Sequence, residues 1–313
     1  MRLAFMGTPV FAVPALSALM ESKHDIAFVI TQPDKPKGRG MHLQAPPVKE
    51  LAGKVGLKVF QPQALKNNTE IHDLFTSSKL DAVIVVAYGK MIPTDMLIIP
   101  SIGFLNIHAS LLPDLRGASP INRAIMAGYT TTGISIMQID EGMDSGPVYL
   151  QASIPISATD DAENLALRLS ALGAPKLLET LALIEDEKMR PVPQDHAGST
   201  YAPMLTKEDG KIDWGREPRS IHNMIRGLVP WPCAYTYLDG KMLKIMSGSY
   251  EINDHAIMYG TLLKEKSGVK IACRGGYIIP KILQLEGKKT LDAAAFSCGL
   301  KADEAILGHK ETL

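Results

Sequence analysis

Six consecutive apolar residues, Ala82-Val83-Ile84-Val85-Val86-Ala87, constrain this chain more than any other stretch. A strand washed by water on one face alternates polar and apolar side chains, so a run that is apolar throughout is expected to be buried on both faces, near the centre of its sheet. Leu3–Met6, Ile26–Thr31 and Gly103–His108 read as further strands separated by helical patterns. That alternation favours an α/β domain built on a mostly parallel sheet. The opening residues, Arg2 followed by Leu3-Ala4-Phe5-Met6, resemble the start of a signal peptide. Gly7-Thr8-Pro9 ends the apolar stretch at once, and a first strand and turn is the reading.

With 313 residues, 46% of them hydrophobic, the chain has room for a sizeable core and for about two domains. A long helix is expected after Asp160, with Glu163 completing a capping pair and Leu165, Leu169 and Leu172 on one face. Residues from about 185 to 203 lack periodicity and contain Pro191, Pro193 and Gly198, as a linker would. Beyond them, short runs such as Ala234–Leu238, Met242–Met246, Thr261–Leu263 and Val269–Ala272, separated by Gly, Asp and Ser, suggest a small barrel or sandwich. The division expected is therefore 1–188, a linker over 189–203, and 204–313.

The formal net charge of zero argues against a uniformly basic protein but leaves room for a local basic patch. Cys233, Cys273 and Cys298 are odd in number, widely spaced and without a CxxC, which fits reduced thiols and a cytoplasmic location. No run of eighteen apolar residues occurs, so no membrane span is expected. The stretch Gln32–Gly40 is too rich in Pro and Gly for regular structure and reads as a surface loop bearing Lys35, Lys37 and Arg39.

Asn106 and His108 lie two positions apart at the end of a strand, which turns both side chains to one face. The Pro- and Gly-containing stretch Ala109–Gly117 then forces a turn at the carboxyl edge of the sheet, where open α/β folds bind ligands. A lone histidine there is more often structural than catalytic. Here the strand pattern Ile134–Ile139 leads into Asp140-Glu141-Gly142-Met143-Asp144-Ser145-Gly146, which supplies carboxylates; solvated acids in a turn are the competing explanation. On the residues alone, these groups support a proton-transfer and oxyanion site and nothing more specific.

Asn106-x-His108-x-Ser110-Leu111-Leu112-Pro113-x-x-Arg116-Gly117, followed by Gly142-Met143-Asp144-Ser145-Gly146, resembles the signature of the folate-dependent formyltransferases. The likeness runs nearly end to end, through Phe5-Met6-Gly7-Thr8-Pro9, Gln32–Gly40, Tyr201–Leu205, Lys211–Trp214, Pro230-Trp231-Pro232 and Gln284–Lys289. It is greatest to the branch that formylates methionyl initiator tRNA. The resemblance implies a Rossmann-like first domain and a second domain like an OB-fold barrel. The implied donor is 10-formyltetrahydrofolate, with no metal, and the protein is expected to be a monomer.

By the same resemblance Asn106 donates to the oxyanion, a contribution of roughly 10²- to 10³-fold. His108 moves the proton, a contribution of roughly 10²- to 10⁴-fold, and Asp144 sets its charge and orientation. Ser110, Leu111, Leu112 and Pro113 contact folate, with the backbone of Val86–Gly89 beside the pterin. Arg39 meets the tRNA acceptor end, and Lys207, Lys211, Lys241, Lys244, Lys264 and Lys266 are candidates for a patch that follows the tRNA backbone. Three alternatives stay open. Formyltransferases of sugar-nucleotide amines share the triplet but are expected to lack Gly38-Arg39-Gly40; those of glycinamide ribonucleotide are usually single-domain; a non-catalytic RNA-binding protein would not need the triplet.

Overall fold

In a computed structural model that describes residues 1–37 and 42–308, the all-apolar run becomes a strand, Ala82–Val86, buried at every position. The strands of this half are β1 (Arg2–Gly7), β2 (Asp25–Ile30), β3 (Lys35–Lys37), β4 (His42–Gln44), β5 (Val59–Phe60), β6 (Ala82–Val86), β7 (Gly103–His108), β8 (Thr131–Gln138) and β9 (Val148–Pro155). Seven of them form one sheet in the order β5-β2-β1-β6-β7-β8-β9, so the apolar strand is the central one, as its sequence demands. Pairing is parallel from β5 to β7 and antiparallel from β7 to β9. The helices are α1 (Val13–Met20), α2 (Pro47–Lys54), α3 (Thr69–Ser77), α4 (Thr94–Leu97), α5 (Pro120–Met126), α6 (Ala162–Glu185), α7 (Pro218–Gly227) and α8 (Ala293–Cys298). Under β6, Phe28, Phe75 and Phe104 pack together, Phe75 edge-on to the first and stacked on the second.

Local details depart from the sequence reading in instructive ways. The N-terminal turn of α6 is capped by Asp161, whose Oδ1 accepts from the Asn164 N–H at 2.8 Å; Asp160 instead accepts from the Ser157 N–H at 2.7 Å, closing the preceding turn. Leu165 and Leu169 are fully buried, Leu172 only half, and Leu177 and Leu181 continue the apolar stripe. The loop expected to be irregular enters a two-stranded ribbon, β3 with β4, in which Pro36 faces Leu43. Half of the N–H groups in such a ribbon face away from the partner, so it accommodates a proline.

The chain separates into two compact units. One comprises Met1–Gly117, Thr131–Pro155 and Ala166–Tyr201; the other comprises Ala118–Thr130, Ile156–Leu165 and the chain from Ala202. The second unit holds β10 (Ala234–Leu238), β11 (Lys241–Ile252), β12 (Thr261–Glu265), β13 (Gly268–Cys273), β14 (Gly276–Leu285), β15 (Leu291–Asp292) and β16 (Glu304–Ile306). Its sheet runs β10-β11-β14-β13-β12-β16, with antiparallel pairing throughout. The Gly308 N–H then donates to the Tyr237 carbonyl at 3.1 Å, which brings the last strand back to the first and curls the sheet into a barrel. Closure removes the free edges an open sheet would expose. Trp214, Ile225, Leu243, Leu262, Ile278 and Phe296 are among the residues filling its interior.

The longest strands that the sequence analysis does not mark are β9 and β14. In β9 polar residues alternate weakly at the sheet's edge. Within β14, Pro280 argues against a strand, yet it lies opposite Gly248 at a register shift. A side chain at Gly248 would meet the Ile279 carbonyl oxygen at 2.7 Å, so glycine makes the irregularity possible. No helix among the described residues is long and apolar enough to cross a membrane.

Candidate active site

Strand β7 ends at His108, which is paired with Ser135 of its antiparallel neighbour β8. Asn106 is half-buried, and among the described residues its side-chain amide has no protein partner. Both ring nitrogens of His108 face acceptors, one of them within hydrogen-bond distance. Its Nε2 lies 3.1 Å from the Leu115 carbonyl, which only accepts, so this nitrogen carries hydrogen. Nδ1 faces Asp144 Oδ1 at 3.6 Å, with the two side chains 6% and 20% exposed.

Asp144 is fastened in turn. Its Oδ2 accepts from the Gly117 N–H at 2.8 Å. Gly117 has φ +112, which L side chains rarely adopt, so the Arg-Gly step of the motif serves the aspartate. Asp144 itself sits at φ +49. Ahead of it, Asp140 Oδ1 accepts from Gly142 N–H at 3.0 Å and Ser145 Oγ at 2.8 Å, folding the acidic loop on itself. The structure thus brings His108 and Asp144 together at the end of the strand that carries Asn106.

The residues expected to contact folate divide by burial. Ser110 and Leu112 are buried; Leu111 and Pro113 are half-buried. Ser110 Oγ donates to the Asp114 carbonyl at 2.5 Å, and its own carbonyl accepts from Ser135 Oγ at 2.7 Å. Gln151 Nε2 reaches both Ser135 Oγ at 2.9 Å and the Leu112 carbonyl at 2.8 Å. The segment is therefore a rigid shelf, with Leu111 and Pro113 as its accessible side chains. After β6, Ala87 and Gly89 take positive φ, and the Tyr88 carbonyl accepts from Gln32 Nε2 at 2.8 Å. The Tyr88 ring turns into the core, where burial pushes its phenol up to about 12.

Arg39 lies outside the described residues. Of the basic residues considered in the second unit, Lys207, Lys211, Lys241 and Lys266 are exposed, Lys244 is half-buried, and Lys264 lies 3.9 Å from Asp303. The sequence reading missed Arg116 and Gln194. Both are buried, and Gln194 joins Arg116 to the backbone of the Asp144 turn. Arg116 carried a faint signal as part of the motif; Gln194, in the aperiodic stretch 189–203, carried none.

The mostly parallel sheet, the curled antiparallel sheet and a polar triplet at the carboxyl edge are the features of one class of group-transfer enzyme. The chain belongs to the formyl transferase family: residues 1–181 match the formyl transferase domain and residues 204–301 the formyl transferase C-terminal domain. It is 45% identical over 316 residues to the methionyl-tRNA formyltransferase of Geotalea uraniireducens (strain Rf4), an alignment covering 99% of each chain. The Gluconobacter oxydans (strain 621H) methionyl-tRNA formyltransferase is 46% identical over 300 residues, covering 96% of this chain and 97% of the relative. Among solved structures, WlaRD, a sugar 3N-formyl transferase crystallised in the presence of dTDP and 5-N-formyl-THF, shares the fold. Its TM-score is 0.68 at 18% identity, covering 92% of this chain and 99% of that one.

Proposed function

We propose that this chain transfers the formyl group of 10-formyltetrahydrofolate to the free amino group of methionyl initiator tRNA, giving the formylated tRNA that starts translation in the cytoplasm. The observation that carries the reading is the pairing of His108 with Asp144, at the end of the strand that carries Asn106, whose amide has no protein partner among the described residues, in a chain that aligns end to end with relatives named for this reaction. As the amino nitrogen bonds to the formyl carbon, negative charge gathers on the formyl oxygen, and the Asn106 N–H donates to it. His108, steered by Asp144, takes the proton from the attacking nitrogen and returns it to the folate nitrogen as the carbon–nitrogen bond to folate breaks. Atoms and charge balance without a further reactant.

Leu111 and Pro113 offer folate its apolar contacts, while Ser110 and Leu112 hold the shelf beneath. Arg39 meets the acceptor end of the tRNA, and residues 204–313 hold the tRNA backbone. A monomer suffices, since all three catalytic groups come from one chain.

The test offers purified protein and 10-formyltetrahydrofolate two acceptors, methionyl initiator tRNA and a dTDP-linked amino sugar. Formylmethionyl-tRNA is the expected product. Inactivity with active folate and charged tRNA overturns the reading, and formylation of the sugar alone replaces it with the sugar-nucleotide alternative. For Arg39→Ala, weaker apparent affinity for tRNA with folate binding unchanged is expected; unaltered tRNA kinetics would remove Arg39 from its role.

A further inference from the structure

Gln194 is 9% exposed, and its amide is fully spent. Nε2 donates to the carbonyl oxygens of Asp144 at 2.9 Å and Gly146 at 2.7 Å. Oε1 accepts from Arg116 Nε at 3.1 Å and Nη2 at 2.8 Å. The orientation of the amide is not arbitrary. A guanidinium only donates and carbonyls only accept, so the oxygen must face Arg116 and the nitrogen must face the turn.

Arg116 is 3% exposed, and its Nη2 also meets His196 Nδ1 at 3.2 Å. Its side-chain partners among the described residues, Gln194 and His196, are not carboxylates. Burying a guanidinium with no carboxylate among those partners is expensive, and the arrangement needs a use that offsets it. That use is visible in the connectivity. Gly117, next in the chain, donates its N–H to Asp144 Oδ2, while Arg116 reaches Gln194, which holds the Asp144 carbonyl. The contacts form a closed ring around a residue at φ +49, a backbone conformation that non-glycine residues keep only when their surroundings enforce it.

We propose that Gln194 and Arg116 are positioning residues for formyl transfer: they hold the 144–146 turn, and through it the Asp144 carboxylate, in register with His108. This rests on the formyl-transfer reading of the triplet. It also gives the aperiodic stretch 189–203 a part in catalysis, since that stretch supplies the residue that locks the aspartate.

A double-mutant cycle tests the proposal. Gln194→Ala is expected to lower kcat about 10²-fold, the order of loss when a catalytic group is misplaced by about 1 Å, with KM for 10-formyltetrahydrofolate little changed. Asp144→Asn is expected to cost at least as much. If Gln194 acts through Asp144, the double variant turns over no more slowly than Asp144→Asn alone; multiplication of the two losses would overturn the proposal. Gln194→Glu separates positioning from folding, because its carboxylate keeps an acceptor for Arg116 but turns an anion toward two carbonyl oxygens. That variant is expected to keep its thermal midpoint and lose turnover, and it carries the test if Gln194→Ala does not fold. Wild-type turnover in Gln194→Glu would refute positioning while leaving formyl transfer intact, whereas an inactive wild type would remove the reading beneath it.

Discussion

His108 Nδ1 stands 3.6 Å from Asp144 Oδ1 while Nε2 is occupied by the Leu115 carbonyl at 3.1 Å. The hydrogen on Nε2 is spent on a backbone acceptor, so in the proposed reaction the proton exchanged by this ring would be the one at Nδ1, beside the carboxylate. A separation slightly beyond hydrogen-bond length is common before substrate arrives, and such contacts tighten in the reacting complex.

Replacing Asp144 with Asn tests that assignment. The Asn Oδ1 can still accept from the Gly117 N–H, so the turn is expected to survive and the thermal midpoint to stay near the wild-type value. The new NH₂ would donate to His108 Nδ1 and hold its lone pair, leaving the ring unable to take the proton. Single-turnover formyl transfer is expected to slow by about 10²-fold or more, within the range of general acid–base contributions. Undiminished single turnover would show that the pair does not carry the proton.

Asn106→Asp addresses the oxyanion. The Asn106 amide has no hydrogen-bond partner among the described residues, so the substitution breaks no hydrogen bond within them. An ionised carboxylate accepts where a donor is required, and kcat is expected to fall about 10²- to 10³-fold, the cost of losing one oxyanion donor. Steady-state kinetics showing near-normal kcat would assign the donation to another group.

The sheet was legible wherever burial leaves a one-dimensional trace: an apolar run such as Ala82–Val86, or the alternation that sets Asn106 and His108 on one face. What escaped depended on contacts between residues far apart in sequence. Asp161 rather than Asp160 caps α6 because backbone direction, not residue type, decides between adjacent aspartates. Pro280 sits inside a strand because Gly248, 32 positions earlier, gives way to it. Gln194 reaches Asp144 across 50 positions, in a segment with no periodicity to mark it. For the triplet, the residues alone suggest a proton-transfer and oxyanion site; the formyl group comes from resemblance, because nothing in three polar side chains specifies folate.

Gly146→Ala probes the turn from its other side. A Cβ there would collide with the carbonyl oxygen of Gln138, a backbone atom in the sheet that cannot swing aside. Overpacking of this kind costs typically 1–3 kcal/mol, so a destabilisation of about 2 kcal/mol is expected in denaturant unfolding. Turnover is expected to fall as well, since the residue two before it is Asp144. Wild-type stability and activity together would show that the turn yields.

In the second unit, pH acts through His222. Its Nε2 donates to the Gly248 carbonyl at 3.2 Å, and burial first, then the charges of Arg226 and Lys281, lower its pKa despite that hydrogen bond. The unfolded chain takes up this proton as pH falls through about 6.5, the ordinary histidine value, before the folded protein does. The associated stability is therefore present above that pH and is lost as pH falls toward the lower folded value. Arg226 stays in place throughout, its Nη1 donating to the Ser157 and Asp160 carbonyls at 3.1 and 2.9 Å, so its charge continues to oppose protonation of the ring. In His222→Gln the amide can keep the bond to Gly248 but does not titrate. Thermal midpoints measured at pH 7.5 and pH 5.5 are expected to differ less in this variant than in the wild type. Equal acid sensitivity in the two proteins would place the titration elsewhere.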